Sequence, residues 1–175
     1  MLPGVFITAY HASPFFKQRV QTAFQEIINY DRDKVALNQS VISSVGARIL
    51  FVNNSLDVIK ENSLLGVGTG DFSIEYQRIN VINSPSSPNT TNPHNMYILV
   101  LIQSGIVGLL SMISIFYYQI KLSFKESNRF FHDLGFALPL LFLVIMLSDS
   151  YLLGHYTSLL FVFCSSFLYK NFEKD

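Results

Sequence analysis

Asn92-Pro93-His94-Asn95-Met96-Tyr97-Ile98-Leu99-Val100-Leu101-Ile102-Gln103-Ser104-Gly105-Ile106-Val107-Gly108 carries a polar loop into an apolar helix, and its reading decides the fold class. Tyr97 to Ile120 is 24 residues without a charged side chain. As a helix this is about 36 Å long, enough to cross a hydrocarbon core of about 30 Å with some tilt. Asn92 suits the N-cap and Pro93 the first helical position, which puts His94 and Asn95 in the first turn, at the positive end of the helix dipole. In an unbroken helix His94 and Gly105 lie within about 20° of one another, with Gly108 on the same side. Small residues three apart on one face predict a seam against which another helix packs.

Composition agrees with a lipid environment. Half of the 175 residues are hydrophobic, and twelve basic side chains balance twelve acidic ones. A net charge of zero gives no basic surface for nucleic acid. The single cysteine, Cys164, has no partner for an internal disulfide and sits among Phe161, Val162 and Phe163, as a buried thiol does. No Cys/His spacing resembles a metal site.

The rest of the chain fits an all-α integral membrane protein with three transmembrane helices and amphipathic outer helices. Residues 1–13 include an apolar stretch too short for a span and without a basic leader, readable as the end of a longer transmembrane helix. Residues 14–96 form a polar region. Within it, 17–31 repeats apolar side chains at Val20, Phe24, Ile27 and Ile28, an amphipathic helix that either lies on the membrane surface or packs on neighbouring spans. Residues 29–39 read as a loop. A second amphipathic helix, 44–61, carries Val45, Ile49, Val52, Leu56 and Ile59 on one stripe, and Arg48 flanks it either as a snorkelling surface residue or as the rim of a site. Gly66, Gly68 and Gly70 suit a tight bend whose free backbone N–H groups can meet an anion, although no Walker pattern is present. Glu75 to Asn92 reads as polar and turn-rich, with 84–91 a flexible surface loop.

Lys121, Lys125 and Arg129 lie just after the span, so by the positive-inside rule 121–133 is cytoplasmic and His94 faces outward. Residues 134–169 are too long for one crossing and read as a transmembrane hairpin turning at Ser148-Asp149-Ser150, with 170–175 returning to the cytoplasm. The turn puts Asp149 and His155 on the same side as His94. Asp149 is then either a functional carboxylate or a solvated turn residue. At a helix amino end the dipole disfavours imidazolium, so a neutral His94 can accept a proton while the same terminus attracts an anion. A base beside an anion site suits transfer from a phosphorylated donor, and a structural interfacial histidine is the alternative.

His94-Asn95 followed at fixed spacing by Gly105 and Gly108 is similar to the signature of bacterial O-antigen ligases. Leu64-Leu65-Gly66-Val67-Gly68-Thr69-Gly70-Asp71-Phe72 resembles the glycine-rich segment upstream of that histidine, and Ser44-Val45-Gly46-Ala47-Arg48 the start of the preceding periplasmic helix. The resemblance covers roughly residues 44–108, and the hairpin fits the last spans of the family. It implies an inner-membrane, GT-C type glycosyltransferase that moves a glycan from undecaprenyl diphosphate to a hydroxyl of lipid A-core at the periplasmic face, with no metal or other cofactor. It also implies that His94 assists acceptor deprotonation, that Arg48 holds the donor diphosphate with Asn95 in the substrate site, and that Arg19 is a second diphosphate contact. O-antigen polymerases and protein O-oligosaccharyltransferases share the scaffold, and a non-enzymatic accessory membrane protein is the reading of another class. The chain departs from the family in three ways: three spans where ten or more are usual, Phe51 and Val52 where tryptophan is frequent, and Ser63 where proline is common.

Overall fold

The computed structural model describes residues 2–28 and 44–169, so the expected loop at 29–39 and the tail at 170–175 lie outside the described residues. Among the described residues there are seven helices and no strand. They are α1 (Leu2–Ala12), α2 (Pro14–Ile28), α3 (Ser44–Glu61), α4 (Phe72–Asn83), α5 (Met96–Ser123), α6 (Arg129–Ile145) and α7 (His155–Leu168). Only α5, with a mean hydropathy of 2.3, is both long and apolar enough to cross a membrane among the described residues. Helices α6 and α7 have 17 and 14 residues, about 26 and 21 Å. Residues 146–154 form the connection between them, which shortens both relative to the spans expected over 134–169.

Helix α5 is broken. Gly105 has φ 62° and ψ −163°, far from helical values. The break leaves two carbonyls above it and two N–H groups below it without helical partners, and unpaired buried groups of this kind cost about 1–3 kcal/mol each. The glycine-rich loop supplies all four. Val67 N–H donates to Ile102 O at 2.8 Å and Gly68 N–H to Gln103 O at 3.0 Å, while Ser63 O accepts from Ile106 N–H at 2.9 Å and Leu64 O from Val107 N–H at 3.4 Å. Both sides must approach backbone to backbone. A Cβ on Gly105 lies 2.1 Å from Leu64 O, and one on Gly66 lies 2.5 Å from Ile102 O.

This joint corrects two expectations. The N–H groups of Gly66, Val67 and Gly68 are taken by carbonyl oxygens, that of Gly66 by Asn62 O at 3.0 Å, so they are not open to an anion. Gly105 receives a loop rather than another helix, and at Gly108 a Cβ meets the Ser104 side chain of the same helix.

Helices α3 and α4 pack over the first half of α5. Phe51, Val58, Phe72, Tyr76 and Ile79 form one buried cluster with Leu99 and Ile102. Helix α4 occupies part of the stretch read as turn-rich. Its stripe is short, with Phe72, Tyr76 and Ile79 at i, i+4 and i+7, and its buried face also carries the polar Asn80. Asn54 Nδ2 donates to Asn80 Oδ1 at 3.1 Å, and Asn80 Nδ2 donates to Ser87 O at 3.0 Å and to Asn89 Oδ1 at 2.9 Å. These bonds fix the 84–91 segment, expected to be flexible, against α4, with Ser84 and Ser87 buried.

The second half of α5 packs on α6 and α7 through Met112, Phe116, Phe142 and Met146, with Phe161 against them. Pro139 lies inside α6 and has no N–H for the carbonyl of Gly135 one turn earlier. The Tyr169 hydroxyl donates to that carbonyl at 2.6 Å, so a side chain from the end of α7 repairs the helix that proline interrupts. Helix α2 keeps Phe24, Ile27 and Ile28 more than half exposed.

Substituting Gly105→Ala requires an L-residue at positive φ as well as a clash with Leu64 O, and the expected loss of stability is about 3 kcal/mol or more. Gly66→Ala strikes the same joint from the other side, so the double variant should lose much less than the sum of the two single losses. Thermal unfolding of the detergent-solubilised chain measures this, and full additivity is the result that contradicts a shared joint.

Candidate functional site

The amino end of α5 meets the carboxyl end of α6. Where α6 ends, Leu143 O accepts from the Tyr97 hydroxyl at 2.6 Å, Met146 O from Met96 N–H at 3.0 Å, and Leu147 O from Asn95 Nδ2 at 3.1 Å. Orphan carbonyls of one helix thus meet donors at the start of another, and the opposed dipole ends attract. The consequence is positional: the connection after α6, with Asp149, is brought against His94.

The cap of α5 is displaced from the expected register. Asn95, not Asn92, is the N-cap, and its Oδ1 accepts from Ile98 N–H at 3.2 Å. His94 therefore stands just outside the first turn, with φ 52°. A non-glycine residue in the left-handed region costs of order 1–3 kcal/mol and persists where its surroundings fix it. Here Asn92 Oδ1 accepts the His94 N–H at 2.9 Å, and Pro93 between them is fully buried.

Asn92 is the hub of this corner. Its Oδ1 also accepts from Ser150 Oγ at 2.7 Å, and its Nδ2 donates to Asp149 Oδ1 at 3.2 Å. His94 Nδ1 lies 3.2 Å from the same carboxylate oxygen. An ionised carboxylate only accepts, so Nδ1 carries the proton, and Nε2 has no partner among the described residues. The imidazole also lies near-parallel to the Phe51 ring of α3, with centroids 6.2 Å apart and an interplanar angle of 25°.

His94 and Asn95 share an open cavity of about 270 Å³ with Arg48, whose neighbours there include Ile27, Val45 and Ile49. Two elements far apart in sequence thus deliver a histidine and a guanidinium to one space. Arg48 is exposed and has no ion-pair partner among the described residues. Both ends of the Asn95 amide are engaged by backbone. Arg19 is not brought to this cavity; its guanidinium lies 5.3 Å from the centroid of the Phe15 ring.

Sequence reasoning placed Asp149 on the side of His94 but did not join the two, and it read Asn92 as a cap. Apart from His155, Asp149 is the sole Asp, Glu, Lys, Arg or His between Leu134 and Tyr169, and that was the available signal. Ser150 and Phe51 carried none.

Burial pushes the Asp149 carboxyl pKa up, but the Ser150 N–H, the charge of His94 and the hydrogen bonds from His94 and Asn92 outweigh it and hold it below the ordinary value. A carboxyl lowered in this way adds stability above its unfolded pKa, and that contribution fades as pH falls through the folded one. Below about pH 4 the chain should therefore lose part of its stability through this group. Asp149→Asn should remove that part of the acid dependence, as read from unfolding midpoints at pH 7 and at pH 3; an unchanged difference between the two refutes the pairing.

Comparison with known proteins comes to one finding. A search of curated proteins returned no match. The family model described as O-antigen ligase matches residues 4–113, which include α3, the glycine-rich loop, His94 and the break at Gly105. With well over half of its length matched, the chain belongs to the O-antigen ligase family.

Proposed function

We propose that the chain is a membrane glycosyltransferase of the ligase type, moving a glycan from undecaprenyl diphosphate to a hydroxyl acceptor such as lipid A-core. The observation that carries this is one cavity holding a guanidinium, Arg48, with no ion-pair partner among the described residues, and an imidazole whose Nδ1 is fixed by Asp149. In the reaction, the acceptor hydroxyl gives its proton to His94 Nε2 as its oxygen bonds to the anomeric carbon of the donor sugar. The bond from that carbon to the diphosphate oxygen breaks, its electron pair stays with the diphosphate, and undecaprenyl diphosphate leaves. Arg48 stabilises the charge that develops there, through a planar fork matched to phosphate oxygens. Asp149 keeps the proton on Nδ1 and stabilises the imidazolium once formed.

The apolar wall formed by Ile27, Val45, Ile49, Val52 and Leu147 fits the first isoprene units and lowers the local dielectric, which strengthens the Arg48 contact. Asn95 acts by capping α5 and tying it to Leu147, so its part is to position His94. Arg19, outside the cavity, has a place only if the donor extends along α2. The basic segment Lys121 to Arg129 supports an orientation with His94 on the periplasmic side of the inner membrane, with α6 and α7 as a short hairpin across a locally thinned bilayer. A polymerase or protein O-oligosaccharyltransferase runs the same step with a different acceptor.

In membranes that lack another ligase, His94→Ala in the full chain should lower transfer to lipid A-core by about 10²-fold or more. Arg48→Lys should mainly raise the donor KM, since the charge stays and the fork is lost. Both variants should still insert. Unchanged transfer in His94→Ala sinks the assignment, and transfer to a growing glycan or a protein instead of lipid A-core reassigns the acceptor.

A further inference from the structure

The pair formed by His94 and Asp149 separates two cavities. His94 lines the one that contains Arg48. Asp149 lines the other, of about 330 Å³, together with Asn92, Ser150, Tyr151, Gly154 and Thr157. The two differ in charge. The first holds a cation and apolar walls; in the second the only charged lining group among the described residues is the Asp149 carboxylate, which repels phosphate and accepts from hydroxyl groups.

We infer that this second cavity is a subsite for a neutral sugar ring, holding the glycan on the far side of the histidine from the diphosphate. The inference rests on the transferase reading above. Asp149 uses Oδ1 for Asn92, His94 and the Ser150 N–H, and Oδ2 has no partner among the described residues. Tyr151 lines the same cavity and its hydroxyl likewise has no partner among the described residues, so the lining residues include a free acceptor and a free donor. The Tyr151 ring supplies an apolar face for the C–H side of a pyranose. Size agrees as well, since a cavity at the lower end of the roughly 300–1,000 Å³ range of small-molecule sites suits a single ring rather than a chain.

The walls are set before any ligand arrives. Tyr151 N–H donates to Asp149 O at 3.0 Å and Leu153 N–H to Ser150 O at 2.9 Å. The Thr157 hydroxyl bonds to the Tyr151 carbonyl, and to Gly154 O at 3.1 Å. The same 149–154 connection that presents Asp149 to His94 therefore shapes the subsite. A ring held here has its neighbouring sugar beside the imidazole, and that ring belongs either to the acceptor or to the transferred glycan.

The test uses the full chain in lipid nanodiscs and two probes read by saturation-transfer NMR: deacylated, dephosphorylated core oligosaccharide for the acceptor, and a neutral repeat-unit oligosaccharide for the donor glycan. One probe is expected to bind, which identifies the source of the ring. Tyr151→Phe should weaken it about fivefold, the loss of one neutral hydrogen bond, and Tyr151→Ala further. Binding of neither probe, or equal binding by wild type and both Tyr151 variants, overturns the subsite. Because this readout needs no turnover, Tyr151-dependent sugar binding in a chain that transfers nothing rejects the transferase reading alone, and transfer without such binding rejects the subsite alone.

Discussion

The joint between the glycine-rich loop and the break in α5 is the constraint on which the rest of the molecule depends. A helix interrupted at Gly105 has four backbone groups to satisfy, and in an apolar setting water does not satisfy them. The loop from Ser63 to Gly68 meets all four with its own peptide groups. That contact is possible only where the approaching residues lack a Cβ, which is why Gly66 stands against the Ile102–Ser104 backbone and Gly105 against that of Leu64 and Leu65. Because the loop continues directly from α3 and leads into α4, fixing it to α5 also fixes the two helices that cover the site.

From that joint the geometry of the site follows by short steps. Helix α3 is held against the first half of α5 by the cluster around Phe51, Tyr76 and Leu99, so Phe51 lies along the His94 ring and Arg48, one turn earlier, rims the same cavity. On the other side, the carbonyls that end α6 are bound by Asn95, Met96 and Tyr97, which brings Asp149 to Nδ1 of the histidine. His94 is thus positioned from both sides by helix ends and aromatic packing, with its own backbone in a costly conformation. The stability of the corner is directed at one imidazole.

Several polar groups inside apolar layers are satisfied by the same device, whereas the hydroxyls of Ser55, Ser84 and Ser87 and the Gln119 Oε1 are buried without a partner among the described residues. Pro139 leaves the Gly135 carbonyl without a helical donor, and Tyr169 fills it; Gln119 Nε2 reaches Ser165 Oγ across to α7 at 2.9 Å. The asparagines of α3 and α4 bond to one another and to the 84–91 segment instead of to solvent. The Asn54–Asn80, Gly135–Tyr169 and Gln119–Ser165 contacts join elements 26, 34 and 46 positions apart, so they contribute to register as well as to stability.

The sequence by itself determined the all-helical class, the long apolar helix, the extent of α3 and the resemblance that singles out His94 and Arg48. These are local facts, since periodicity, charge spacing and motif order are written into neighbouring residues. It did not find the packing face of α3, which is Leu50, Phe51, Asn54, Ser55 and Val58. Of the stripe read from periodicity, Val45, Ile49 and Val52 line the open cavity and Leu56 is exposed. Tertiary structure alone decided where α5 breaks, because a glycine within an apolar run reads the same in a straight or an interrupted helix. It moved the cap from Asn92 to Asn95, because the nearby carbonyls of α6 select which asparagine faces them. It made α4 a helix, because the polar face that hides its stripe from a sequence reading finds partners only in α3 and in the 84–91 segment. It also left Arg19 outside the cavity and joined His94 to Asp149, 55 positions apart. Such pairings depend on how helix ends meet, and no local pattern records that.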